Sequence, residues 1–92
     1  MRYALRDEKS GQLAACMQVN GYGLDYYGIL LWDEAPEDAE IAEAVTRLAG
    51  ASQAAVWKPV ALTEHQAKMA NVKLRNDARR SVYLRDQQLI AE

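Results

Sequence analysis

The first third of the chain alternates apolar and polar residues in a pattern that predicts β-strands. In residues 2–6, Tyr3 and Leu5 alternate with polar or small side chains, as in a half-buried strand. A polar turn ending at Gly11 follows, and the apolar residues after it line one face of a second strand: Leu13, Ala15, Met17 and Val19. These two strands are predicted to form a β-hairpin.

Residues 26–32 form the most apolar run in the chain and predict the central strand of a sheet. Gly28 within this run predicts a bulge or a close backbone approach. Apolar residues then recur at helical spacing, at Ile41, Val45 and Leu48, after Pro36 at a favourable first-turn position. The first helix is expected to end at Gly50. Residues 53–58, which precede Pro59, predict an edge strand.

The last third, residues 62–92, contains neither Gly nor Pro and predicts one long basic helix. Thr63 and Gln66 are spaced as a capping box, in which each side chain satisfies the backbone N–H of the other residue. Mostly small side chains form the inward stripe of this predicted helix: Ala67, Ala70, Leu74, Ala78 and Val82.

The predicted order of elements is β-β-β-α-β-α, which belongs to the α+β class. We expect a three- to four-stranded antiparallel sheet packed by two helices that cover one of its faces, the second helix being the long basic one. The chain has 92 residues, half of them apolar, so residues 1–92 are predicted to form a single globular domain with one modest core.

Charge is unevenly distributed along this chain, whose net charge is −2. Six acids and no base lie between Asp33 and Glu43, and the macrodipole of the first helix stabilises those near its start. The bases are concentrated in the predicted last helix. We predict that they bind a partner or nucleic acid, against the default of a solvated surface: Lys68, Lys73, Arg75, Arg79, Arg80 and Arg85.

No motif for catalysis, cofactor binding or metal binding is present in the sequence. His65 is the only histidine and Cys16 the only cysteine, and no CxxC, HxxxH, GxxxxGK or GxGxxG pattern occurs. Cys16 is expected to be a small buried side chain, and His65 an exposed residue in the first turn of a helix. We therefore expect no catalytic residue, metal, cofactor or small-molecule substrate.

Two features predict a cytoplasmic protein without a membrane partner. The single cysteine fits a reducing compartment, because no intramolecular disulfide can form. No apolar run approaches the roughly 20 residues that a membrane span needs, and the N-terminal segment lacks the apolar core of a signal peptide.

Residues 48–58 resemble the centre of a helix-turn-helix of the phage-repressor kind. Gly50, Gln53 and Val56 fall at the positions that this pattern requires. The chain departs from the pattern at Thr46, where the family prefers Ala, and at Pro59, which would break the recognition helix. The preceding acidic helix would also repel phosphates. This resemblance implies the alternative function, a small DNA-binding transcriptional regulator.

The overall profile is similar to that of anti-CRISPR proteins, the small inhibitors that phages and mobile elements encode. It combines short length, segregated charge and the absence of catalytic, cofactor and secretion signals. The resemblance implies a cytoplasmic protein of the bacterial host cell that binds a multisubunit protein–RNA complex, a CRISPR effector with its guide RNA, and blocks target DNA. The acids that would then occupy phosphate-binding Lys and Arg sites are Glu37, Asp38, Glu40 and Glu43.

Overall fold

The computed structural model describes residues 1–48 and 55–92. In these residues six strands and two helices follow one another, which confirms the α+β class. The elements are β1 (Arg2–Asp7), β2 (Ala15–Val19), β3 (Asp25–Ile29), α1 (Asp38–Val45), β4 (Trp57–Leu62), α2 (Glu64–Leu74), β5 (Val82–Arg85) and β6 (Gln88–Ala91). Three antiparallel pairs, β1–β4, β2–β3 and β5–β6, replace the predicted sheet of three to four strands.

The predicted hairpin between the first two strands is wrong. β1 instead pairs with β4 along its whole length, from Arg2 opposite Leu62 to Asp7 opposite Trp57. The segment before β2 meets β1 only at an isolated bridge between Arg6 and Leu13. The predicted edge strand exists but starts later than expected, at Trp57, and the first residues of its predicted range lie outside the described part of the chain.

The predicted long C-terminal helix is also wrong, because α2 ends at Leu74. Arg75 and Asn76 adopt left-handed backbone conformations, with φ of 54° and 53°, and these end the helix. The rest of the chain is the β5–β6 hairpin, joined through Asp86 and Gln87, whose φ values of 52° and 65° suit a tight two-residue turn. Ala78, predicted to face inward, is exposed.

The start of α2 confirms the predicted capping box. The Thr63 hydroxyl accepts a hydrogen bond from the Gln66 N–H at 3.0 Å, and the Gln66 side chain accepts one from the Thr63 N–H at 2.9 Å. The first half of the predicted stripe is likewise correct, since Ala67, Ala70 and Leu74 are buried. Local sequence signals thus fixed the beginning of this helix but not its end.

Two hydrophobic clusters lie on opposite faces of β1, whose adjacent residues Ala4 and Leu5 are both fully buried. Ala4 belongs to a cluster with residues of α2 and β5: Leu13, Ile29, Leu62, Ala67, Ala70, Leu74, Val82 and Leu84. Leu5 belongs to a cluster with α1 and the start of β4: Ala14, Cys16, Leu30, Ala44, Leu48 and Trp57. Successive side chains of a strand point to opposite faces, so the helices sandwich β1 rather than cover one face together.

Two asparagines join α2 and the residue after its C-cap to β3. The Asn71 side-chain oxygen accepts a hydrogen bond from the Ile29 N–H at 2.9 Å, and the Asn76 side-chain oxygen accepts one from the Tyr27 N–H. Gly28 lies between these two positions, and a Cβ there would be 3.0 Å from the Asn71 oxygen and 2.8 Å from the Tyr26 ring. Two side chains therefore approach the Gly28 backbone closely, the Tyr26 ring of β3 and Asn71 of α2.

Candidate interaction surfaces

The predicted basic residues are distributed over three kinds of structure instead of one helix. Lys68 and Lys73 lie on α2 and Arg75 is its C-cap. Arg79 and Arg80 lie in the connection to β5, and Arg85 ends β5. Arg79, Arg80 and Arg85 do not lie on the same helix as Lys68 and Lys73, because α2 ends at Leu74.

The residues after α2 are partly engaged within the protein. Arg79 makes an ion pair with Asp77 at 3.1 Å, and the hydrogen bonds from Arg79 hold the pKa of Asp77 below its ordinary value. The Arg80 side chain donates to the Lys73 carbonyl at 2.9 Å, and the Arg85 side chain donates to the Ser10 carbonyl at 2.7 Å. The Arg85 guanidinium also lies 4.4 Å from the centre of the Tyr83 ring.

The other three bases, Lys68, Lys73 and Arg75, form no ion pair with any residue in the described ranges. Lys68 and Arg75 are exposed, whereas Lys73 is half-buried. These positive charges, carried by α2 and its C-cap, are therefore free to meet an anionic partner.

The four predicted acidic contact residues are all exposed at α1. Ala44 and, in part, Ile41 and Val45 pack against the hydrophobic cluster that contains Leu5, and the other side of the helix lies in solvent. On that exposed side lie Glu37, Asp38, Glu40 and Glu43. The Glu40 carboxylate accepts a hydrogen bond from the Glu37 N–H at 3.1 Å, which helps to begin the helix.

Two of the six acids between Asp33 and Glu43 are paired. Arg2 lies 3.3 Å from Asp33, and Arg47 lies 3.5 Å from Glu43. Within the described residues the remaining acids form no ion pair: Glu34, Glu37, Asp38 and Glu40. We call these four residues the acidic face.

A second exposed surface, which the sequence did not predict, lies on the β2–β3 hairpin. Met17 and Val19 were predicted to share one face of the strand with Leu13 and Ala15, yet 57% and 64% of their surfaces are exposed, because core packing on that face ends at Ala15. At the turn, Tyr22 is 91% exposed and Leu24 is 63% exposed. Alternation along the strand identified the side chains that share a face but not how far the core extends.

A cleft of about 420 Å³ lies beside β2. Its lining includes Ala14, Cys16 and Met17 from β2 and the residue before it, and Ala78 and Ser81 from the connection between α2 and β5. Cys16 is buried, as expected, and burial raises the pKa of its thiol above the ordinary value. The neutral thiol is a poor nucleophile, so Cys16 contributes to the cleft as a small apolar group.

The helix-turn-helix prediction falls largely on residues that the structure does not describe. Gly50 and Gln53 lie outside the described residues, whereas Trp57 and Lys58 belong to β4. His65 is exposed in the first turn of α2, as expected. In the described parts of the chain, no three His, Cys, Asp or Glu residues are grouped so that they could hold a metal ion. Neither described helix has the length and apolar character needed to cross a membrane.

Comparison of the chain with known protein-family models, with curated proteins and with solved structures found no match.

Proposed function

We propose that this protein is a non-enzymatic binding protein that attaches to a phosphate-binding surface of a larger complex. In its most specific form it is a small phage or mobile-element inhibitor. It would bind a CRISPR–Cas RNA-guided surveillance complex and block access of target DNA. The observation that supports this proposal is the acidic face, four exposed carboxylates without an ion pair among the described residues.

The acids at the start of α1 can occupy sites that bind phosphates. Four negative charges without an ion pair in the described residues lie within seven positions of the chain, at Glu34, Glu37, Asp38 and Glu40. Arg and Lys side chains that bind phosphate also bind carboxylate, and Arg can do so with two parallel hydrogen bonds.

The basic residues of α2 and its C-cap would supply a second contact of opposite sign. Lys68, Lys73 and Arg75 have no ion pair within the described residues and can meet guide RNA or an acidic subunit surface. Arg79, Arg80 and Arg85 would contribute less, because each already has a partner within the protein. A protein that carries acids at α1 and bases on α2, on opposite sides of β1, favours a composite protein–RNA partner over bare DNA.

The test is a mobility-shift assay in which purified surveillance complexes bind labelled target duplex in the presence of this protein. The test variant combines Glu34→Gln, Asp38→Asn and Glu40→Gln, and Gln at position 40 can preserve the helix-capping contact. The control variant removes three exposed acids outside this surface, Glu8→Gln, Glu64→Gln and Glu92→Gln. We expect the wild type and the control to block DNA binding, and the test variant to need at least about tenfold more protein.

Each other result has a definite meaning. Failure of the wild type to inhibit DNA binding by any of the purified surveillance complexes would reject the inhibitor function. Equal inhibition by the test variant and the wild type would reject the acidic face as the contact. Salt-dependent binding of the wild type to free duplex would instead favour the DNA-binding regulator.

A further inference from the structure

The backbone hydrogen bonds around β2 show which of its groups point toward β3. The Leu30 N–H donates to the Ala14 carbonyl and the Asn20 N–H donates to the Leu24 carbonyl, both at 2.9 Å. In an antiparallel pair the bonded positions alternate, so Cys16 and Gln18 also face β3. The backbone groups of Ala15, Met17 and Val19 therefore point away from β3, toward the outer edge of β2.

Along this side of the chain, the described residues cover only the segment upstream of β2. Upstream of β2, the Leu13 N–H donates to the Val82 carbonyl at 2.9 Å, and the Gly11 carbonyl accepts from the Leu84 N–H at 2.8 Å. The pairing ends there because Arg80, the next residue on this side of β5, donates its N–H to the Asp77 carbonyl instead. Among residues 1–48 and 55–92, no backbone group bonds to the outer edge at Ala15, Met17 or Val19.

This uncovered edge lacks the features that normally prevent strands of two molecules from pairing. The strand Ala15–Val19 contains no charged residue and no proline, and Met17 and Val19 are apolar and exposed. An open edge of this kind is a template for another strand, because its N–H and C=O groups have no backbone partner among the described residues.

We propose that the occupant of this edge is a second copy of the chain, in an antiparallel β2–β2 pair centred on Met17. The outward residues 15, 17 and 19 are symmetric about position 17, so a two-fold axis there satisfies all of them at once. Met17 would exchange its two hydrogen bonds with Met17 of the second copy, and Ala15 would do so with Val19 of that copy. The two hairpins would form one continuous four-stranded sheet.

The side chains support the same register. It places apolar Ala15 opposite Val19 of the second copy and brings the two Met17 side chains together, with no like charges opposed. It also places Asn20 opposite Ala14 of the second copy, the last position before the part of that copy's edge that β5 covers.

The test measures association by sedimentation equilibrium over a range of protein concentrations. Because the shared edge is short, we expect a weak dimer whose population rises with concentration. Met17→Lys should weaken dimerisation at least about tenfold, since two ammonium groups would meet at the two-fold axis. Val72→Lys is the matched control, because Val72 is 55% exposed on α2 and the substitution adds the same charge away from the edge. Circular dichroism establishes that both variants are folded.

A mixing experiment distinguishes self-association through this edge from association elsewhere. Equimolar Met17→Lys and Met17→Glu variants should form a mixed dimer, whereas each variant alone stays monomeric. A wild type that is monomeric at about 1 mM would overturn the proposal. So would a Met17→Lys variant that dimerises as the wild type does, or a mixture that forms no mixed dimer. None of these results depends on the proposed inhibitor function.

Discussion

Replacing Asn71 by Leu tests how α2 is held against β3. The Asn71 oxygen accepts the Ile29 N–H at 2.9 Å, and Ile29 is only 2% exposed. Leu has a similar size but no acceptor, so it would shield this N–H from water without bonding it. An unsatisfied buried donor costs about 1–3 kcal/mol. In a domain of this size we expect Tm to fall by about 4 °C for the lower limit of this loss and by roughly 20 °C for its upper limit.

Urea unfolding followed by tryptophan fluorescence measures the loss of stability, and amide hydrogen exchange locates it. The Ile29 amide should lose protection, whereas the Leu30 amide, which donates to the Ala14 carbonyl, should keep it. Val72→Leu is the control, since it changes an exposed neighbour on the same helix and should alter stability by no more than about 0.5 kcal/mol. A loss below about 0.5 kcal/mol in Asn71→Leu, with the Ile29 amide still protected, would refute the reasoning.

Two further predictions concern local hydrogen bonds. Thr63→Ala removes the cap of α2 and should lower the free energy of unfolding by about 1 kcal/mol, whereas Thr63→Ser should retain most of it; equal losses in urea unfolding would contradict the capping role. The Ser10 hydroxyl bond holds the pKa of Asp7 below its ordinary 3.8, so the stability from Asp7 is present above about pH 3.8 and lost as pH falls through its folded-state pKa. Urea unfolding between roughly pH 2 and 5 measures this effect. As the pH falls, the free energy of unfolding should decrease less steeply in Asp7→Asn than in the wild type or a Glu8→Gln control. Equal pH dependence in all three proteins would count against this.

Predictions from local sequence signals were the most successful. The capping box at Thr63 depends only on residues three positions apart, and the burial of Cys16 follows from its apolar neighbours. The uneven charge that defines the acidic face can be read directly from the sequence. In each case the determining groups are close together along the chain, so tertiary contacts are not needed to identify them.

The end of α2 could not be predicted in this way. Four non-glycine residues after it adopt positive φ, and the sequence there contains neither Gly nor Pro to indicate a turn. Such conformations are costly for most residues. In the folded protein Asn76 bonds to the Tyr27 N–H, and β5 bonds to the segment containing Gly11 and Leu13. These distant contacts offset the local cost, and they depend on residues more than 40 positions away.

The sequence by itself determined the α+β composition, the start of α2 and the separation of positive and negative charge. Tertiary structure alone decided that β1 pairs with β4, that the two cores lie on opposite faces of β1, and that the outer edge of β2 has no backbone partner in the described chain. The physical reason is that strand pairing joins backbone groups, which are the same in every residue. Which edges are covered therefore depends on how the whole chain folds, not on the local sequence of the strand.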